Sequence, residues 1–328
     1  SYYAAITGGG LAAFPQWLKD SISLVEPSAP CWRTNGTGQS ASGTYWVLPW
    51  QSQVAFRALE RLLAAVNTVL NQSYNGVRYG DIINTIDIRY LGNYGEGHSV
   101  NIVDGMSNYP AGTRMTTASW QRVIDIYTAA FPTYQCQIMI AAFDCHTLPA
   151  VIDNDEAGSY YALSKRYGSS NQFMLGWRKD SYGSDEAYLP LLLQNNTHTF
   201  SGMRFDTAIL NRYKYAPITG EPNSGTQMTN LPRDVRIYHT NQVGNSNYNI
   251  TLSAASQDSI RLASKLMGNR VQIDSGYIST TITKGSPFQV LLYYRNGGLA
   301  PPYINWTTSY SLRNSSNVEV YSSTSTMY

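Results

Sequence analysis

Charge is scarce in this 328-residue chain. Lys and Arg number 23, Asp and Glu 21, and charged residues make up only 13% of the whole. A formal net charge of +2, with no long run of Lys or Arg, argues against a nucleic-acid binder, which needs a concentrated basic surface. Cysteine is also sparse. Cys31, Cys136 and Cys145 stand in no metal-ligand spacing, and an odd count excludes a complete internal disulfide framework. Cys136 and Cys145 flank an apolar run and read either as buried thiols or as a single bridge. No run of about 18 apolar residues occurs, so no membrane span is expected. No signal peptide opens the chain, although one can be removed ahead of position 1; a secreted, periplasmic or cell-surface location is the expectation.

Several chemistries lack their signatures. There is no Gly-x-Ser-x-Gly elbow and no phosphate-binding loop. Gly8-Gly9-Gly10 does not carry the dinucleotide fingerprint and reads as a βα loop. His98 and His239 stand in no diagnostic spacing with carboxylates. Neither a metal nor a cofactor is therefore expected. What the chain does have is 43% hydrophobic residues, enough for a sizeable core, together with 26 Tyr and many amides and hydroxyls. Aromatic rings mixed with amides suit sugars, which present C–H faces and hydroxyl edges. A weakly charged, polar secreted surface has the same composition.

The first three-quarters alternates strand-like and helix-like segments. The clearest helix spans about Ser52 to Leu70, with Val54, Leu59, Leu62, Leu63, Val66 and Leu70 at helical spacing. Further helices are predicted near Ser119–Ala130, Glu156–Arg166, Asp185–Gln194 and Ser256–Met267. Strands are predicted at Ile82–Tyr90, Cys136–Phe143, Phe173–Trp177, Tyr213–Thr219 and Val235–Thr240, with one more in Ser1–Ile6. This order means parallel strands with covering helices, and the fold class expected is α/β, a (β/α)8 TIM barrel over residues 1–270. Eight strands would need about two more before residue 1, so the barrel is expected to be incomplete at its N-terminal side. After about Val271 the pattern becomes all β: Tyr277–Ile282, Phe288–Tyr294 and Thr307–Leu312 are β-rich with no helix between. A β-sandwich module, shorter than usual, is expected over 271–328.

Four segments can carry chemistry. In Ile86-Asp87-Ile88-Arg89-Tyr90-Leu91-Gly92-Asn93-Tyr94-Gly95-Glu96-Gly97-His98, an apolar strand runs into a glycine-punctuated loop that presents Glu96. Strand carboxyl ends form the active-site face of a parallel barrel, and glycines there let a bulky substrate approach. The plainer alternative is a solvated loop glutamate between turn glycines. In Tyr213-Lys214-Tyr215-Ala216-Pro217-Ile218-Thr219-Gly220-Glu221-Pro222, three strands later, a strand again ends in Gly-Glu. Glycoside hydrolysis with retention needs two carboxylates about 5 Å apart, one raised in pKa and one ionised. The alternative for Glu221 is a helix-start glutamate before Pro222. In Phe173–Gly183, Arg178 or Asp180 can meet sugar hydroxyls or orient a carboxylate, and Trp177 can stack on a ring; a surface salt-bridge cluster explains them as well. In Tyr238-His239-Thr240-Asn241-Gln242, at the end of the last predicted strand, His239 and Asn241 suit hydroxyl recognition, though a lone His is more often structural.

The Gly92-Asn93-Tyr94-Gly95-Glu96-Gly97-His98 run is similar to the Gly-x-Trp/Tyr-Gly-Glu-x-His signature of a bacterial family of domains of unknown function, itself resembling a clan-A glycoside hydrolase barrel. Phe14-Pro15-Gln16-Trp17-Leu18, Pro49-Trp50, Leu175–Asp180, Ala216–Glu221 and Asn296-Gly297-Gly298-Leu299-Ala300-Pro301-Pro302-Tyr303 fit the same family, the last in its β-sandwich appendage. In clan-A enzymes the acid/base follows the fourth strand and the nucleophile ends the seventh. Taking Ile82–Tyr90 as the fourth makes Tyr213–Thr219 the seventh. The resemblance thus implies Glu96 as acid/base and Glu221 as nucleophile, with Gly95 standing where clan-A enzymes usually have Asn. The function expected is a retaining glycoside hydrolase on a polysaccharide or oligosaccharide. Trp17, Tyr94 and Trp177 would be sugar platforms, and His98, Arg178, Asp180, His239 and Asn241 polar contacts. A non-catalytic carbohydrate-binding or surface-assembly protein that keeps the barrel is the competing expectation.

Overall fold

The computed structural model describes residues 15–29, 31–38, 41–89, 116–139, 161–180, 182–184, 199–200, 203–222, 224–244, 252–281, 283, 285–303 and 306–327. Five parallel strands form its centre: β1 Ile86–Ile88, β2 Cys136–Met139, β3 Gly176–Asp180, β4 Ile218–Glu221 and β5 Gln242–Val243. They lie side by side in chain order, with Ile88 opposite Ile138, Ile138 opposite Trp177, and Trp177 opposite Ile218. The α/β class is therefore as expected, with a central parallel sheet and separate antiparallel pairs.

The helices form where periodic apolar residues and local caps agree. α1 is Gln16–Val25 and α2 Gln53–Leu70. Ser52 caps α2 by accepting the Ala55 N–H at 3.1 Å, and Glu26 accepts those of Gln53 and Val54 at 2.8 and 3.1 Å. Three of the four orphan donors of that first turn are thus satisfied. α2 buries Ala55, Phe56, Leu59 and Leu63. α3, Thr117–Ala130, opens with a reciprocal box between Thr116 and Ser119. α4 is Phe205–Asn211, α5 Gly225–Tyr238 and α6 Ala254–Leu266. Two apolar clusters result. One gathers α1, α2 and α3 on Ile88, Cys136 and Ile138; the other gathers α4, α5 and α6 on Trp177 and Ile218.

Several predicted boundaries are corrected. Val235–Thr240 is not a strand but the end of α5, and the strand follows at Gln242–Val243. Met228, Leu231, Val235 and Tyr238 recur at helical spacing and are all buried, so packing overrides the β propensity of the local run. Tyr213–Thr219 begins instead as a 3-10 turn, Arg212–Lys214, and becomes strand only at Ile218. Ile82–Tyr90 shortens to Ile86–Ile88 after a 3-10 turn, Tyr79–Ile82. Arg166 belongs to a hairpin, Arg166–Tyr167 paired with Phe173–Met174, rather than to the preceding helix. The predicted strand Ser1–Ile6 and helix Asp185–Gln194 lie outside the described residues.

Beyond Arg270 the described elements are antiparallel pairs alone: β6 Val271–Ile278 with β7 Val290–Asn296, and β8 Trp306–Arg313 with β9 Glu319–Met327. The Asn296–Tyr303 segment joins them to the α/β part through backbone bonds Gly297 N to Arg270 O, Leu299 N to Leu266 O, and Ala300 N to Gly268 O, at 2.8–3.0 Å. Tyr303 donates its hydroxyl to the Tyr213 carbonyl at 2.9 Å. Gly298 permits this approach, because a Cβ there would lie 2.0 Å from the Gly268 carbonyl oxygen. Gly298→Ala is expected to destabilise the chain by about 1–3 kcal/mol, the usual scale of overpacking. Urea unfolding monitored by tryptophan fluorescence checks this; an unchanged midpoint would show that the junction yields freely.

Candidate functional site

Alternation along the strands gives the sheet two unlike faces. Ile88, Cys136, Ile138, Trp177 and Ile218 pack into the helices. Asp87, Gln137, Arg178, Thr219 and Glu221 stand on the other face and bond across the strands. Arg178 donates from Nη2 to Glu221 Oε2 at 2.7 Å, and its Nε lies 3.7 Å from Asp87 Oδ2. Arg89 donates to that same Asp87 oxygen at 2.5 Å, and Thr219 donates to Gln137 Oε1 at 3.0 Å. This face opens on a cavity of about 420 Å3 lined by Thr85, Arg89, Gln137, Arg178, Glu221 and Gln242, among others.

The electrostatics separate the two carboxylates. The Arg178 side chain is 6% exposed and that of Glu221 is 30% exposed, so the guanidinium is a buried cation whose charge needs compensation. Asp87 is held above the ordinary carboxylate range by burial, which Arg89 and Arg178 oppose without overcoming. Among the described residues its buried Oδ1 has no partner at hydrogen-bond distance, and Gln137 beside the carboxyl works with the arginines against the burial. Glu221, at the carboxyl end of β4, offers Oε2 to Arg178 and lines the cavity. The arrangement presents a positioned carboxylate, a second carboxyl whose pKa burial raises, and amide and hydroxyl groups for polar contacts.

The structure brings together only part of the predicted set. Glu221 and Arg178 are in direct contact, and Asp180 ends β3 in register with Glu221. Trp177 is not a sugar platform: it is fully buried, its indole N–H donates to the Ile209 carbonyl, and Tyr238 meets it edge-on. His239 does not end a strand. It closes α5 in the left-handed conformation, φ 51 and ψ 51, stacks on Tyr213 with ring centroids 3.8 Å apart, and faces the Leu299 carbonyl from Nδ1 at 2.9 Å. Its role is to fasten the junction with the antiparallel strands. Asn241 donates its backbone N–H to the Ile218 carbonyl at 2.7 Å and leads into β5. Trp17 is half-exposed on α1 and lines a different groove. Glu96, Tyr94 and His98 lie outside the described residues.

Sequence reading passed over Asp87, Arg89, Gln137 and Thr219. The available signal was the period of two inside runs taken for wholly buried strands, as in Ile86-Asp87-Ile88-Arg89 and Ile218-Thr219-Gly220-Glu221. Cys136 is a buried free thiol, as is Cys31. Among the described residues no group of three or more His, Cys, Asp or Glu is placed to hold a metal ion, and no helix is long and apolar enough to cross a membrane. No family model, no curated protein and no solved structure matches the chain.

The raised Asp87 pKa has a definite sign in stability. The folded chain holds this proton at a higher pH than the unfolded chain does, so stability falls as pH rises above the ordinary carboxylate value of 3.8. Asp87→Asn lacks that titration. Wild type is therefore expected to lose stability relative to Asp87→Asn between pH 4 and pH 7 in paired urea titrations; a flat or opposite difference would show that the arginines outweigh burial.

Proposed function

We propose that this chain is a retaining glycoside hydrolase with Glu221 as nucleophile and Glu96 as acid/base. The observation that carries the reading is Glu221 at the carboxyl end of a parallel strand, gripped by the buried Arg178 beside a cavity lined by amides and hydroxyls. The five strands follow one another without the reversal of order that marks a doubly wound sheet. We take them as an arc of a (β/α)8 barrel, whose active site lies at strand carboxyl ends, and the antiparallel pairs as part of a β-sandwich.

In this mechanism a Glu221 oxygen bonds to the anomeric carbon as the glycosidic C–O bond breaks, and Glu96 passes its proton to the leaving oxygen. Glu96, now a carboxylate, takes a proton from the water that displaces Glu221 and completes net retention. Arg178 fixes the Glu221 carboxylate through Oε2, so that attack falls to the other oxygen. Gln137, Thr219 and Gln242 supply donors and acceptors suited to sugar hydroxyls. A secreted or surface-located enzyme on extracellular polysaccharide fits the low charge of the chain.

A second reading, a non-catalytic surface-assembly protein, is favoured by one observation. Tyr277, Val290, Leu291, Tyr293, Val320 and Tyr321 leave much of their apolar surface exposed on the antiparallel pairs, as strands do that pack against a partner. A panel of neutral and acidic glycans separates the two. Wild type is expected to cleave at least one member, with Glu221→Gln and Glu96→Gln each lowering kcat/KM by at least about 10²-fold, the scale of a positioned acid or base. Equal activity in all three proteins would remove both glutamates from the mechanism.

A further inference from the structure

A second groove, on the helical side of the molecule, has a composition unlike the first. It lies between α1 and α2, has a volume of about 400 Å3, and is lined by Trp17, Ser21, Val54, Arg57, Ala58, Arg61 and Leu62. Val54, Ala58 and Leu62 recur every fourth residue and form one stripe along α2. Arg57 and Arg61 stand one turn apart beside it. Both are exposed, and among the described residues neither makes a hydrogen bond or ion pair. Among the described residues Glu60 is paired with Arg122 instead, and Asp20 makes no ion pair with either arginine. Trp17 is 55% exposed at the other wall.

Each of these features is costly or idle without a ligand. An indole left half in water forgoes burial worth about 25 cal/mol per Å2 of apolar surface, and two like charges one turn apart repel. An anionic ligand with an apolar face satisfies all three side chains at once. Guanidinium groups match planar carboxylates and other oxyanions in bidentate fashion, while an indole face accepts the C–H face of a ring. The size selects among such ligands. About 400 Å3 sits at the small end of small-ligand pockets, about 300–1,000 Å3. Seven lining residues fall far short of the roughly 20–30 per side of a stable protein interface.

We infer that the α1–α2 groove is a binding subsite for an acidic sugar of a polysaccharide, with Trp17 stacked on the ring and Arg57 and Arg61 on its carboxylate or sulfate. Its lining shares no residue with the Glu221 cavity, so the site holds the polymer apart from any cleavage. It does not rest on the glycosidase reading, and it stands for a purely binding protein as well.

Calorimetric titration of the full chain tests this, using an oligogalacturonide for the carboxylate, a sulfated oligosaccharide for the sulfate, and a dextran oligomer as the neutral control. Binding of one or both acidic glycans is expected, weakening as salt is raised. Trp17→Ala and the double variant Arg57→Gln/Arg61→Gln, all surface changes, should each lower affinity at least tenfold with the melting temperature unchanged. Glu221→Gln should bind as wild type does. Equal binding of dextran, undiminished binding in the variants, or loss of binding in Glu221→Gln would overturn the assignment. So would equal affinity for polyglutamate, which would indicate an acidic peptide, or for phosphatidylserine vesicles, which would indicate a membrane surface. Failure of the glycosidase reading would appear separately, as absence of glycan turnover by a wild type that still binds.

Discussion

The guanidinium of Arg178 sits almost wholly out of water in the middle of a parallel sheet, and the polar face of that sheet is organised around it. A buried cation left without partners costs several kcal/mol, and breaking a buried pair from one side typically costs about 3–5 kcal/mol. Glu221 supplies the close contact from the following strand, and Asp87 stands farther off, shared with Arg89. These groups reach one another only when β1, β2, β3 and β4 are in the register observed, since a slip of one residue would turn Arg178 toward the helices. The same interaction that places a carboxylate over the cavity therefore also specifies the sheet.

The opposite face has the reverse logic. Trp177 and Ile218 meet α4, α5 and α6, and Ile88, Cys136 and Ile138 meet α1, α2 and α3, so burial of apolar area drives the helices onto one side. Trp177 and Arg178 are adjacent in sequence yet belong to different environments. The indole is core, with its single donor met by the Ile209 carbonyl; the guanidinium belongs to the site. Polar groups that the core does take in are mostly bonded, as with Tyr167, which donates to the Tyr134 carbonyl and accepts from the Cys136 N–H. Arg212 departs from this. It is buried; among the described residues its side chain bonds the Leu163 carbonyl and leaves Nε and Nη1 without a partner, and its pKa is lowered to about 10 by burial first and by Arg166 second.

The junction between the α/β part and the antiparallel strands shows how side chains that look functional become structural. His239 was a reasonable ligand for a sugar hydroxyl when taken as the end of a strand. In the fold it is the left-handed terminus of α5, pressed flat on Tyr213 and facing the Leu299 carbonyl. Tyr213 in turn receives Tyr303 on its own carbonyl. The Asn296–Tyr303 segment thus gains its contacts from several elements at once, and its Gly298 is needed for backbone clearance rather than for a turn.

α2, α3 and α6 were legible in the sequence because their determinants are local, whereas α1, α4 and α5 were not, and the end of α5 reads locally as a strand. The stripe Ala55, Leu59, Leu63 and the cap at Ser52 lie within a few turns of one another, and the alternation of helix with strand implied a parallel sheet before any contact was known. Glu221 was also legible as a residue at a strand end, whereas Arg178, expected at the end of a strand, stands in the middle of β3. Tertiary structure alone decided that these two share an ion pair across 43 residues, that Asp87 joins them with its pKa raised, and that Trp177 and His239 serve packing. A side chain's role depends on which face of a strand it takes and on what lies across from it. Those partners come from distant parts of the chain, where no local pattern records them.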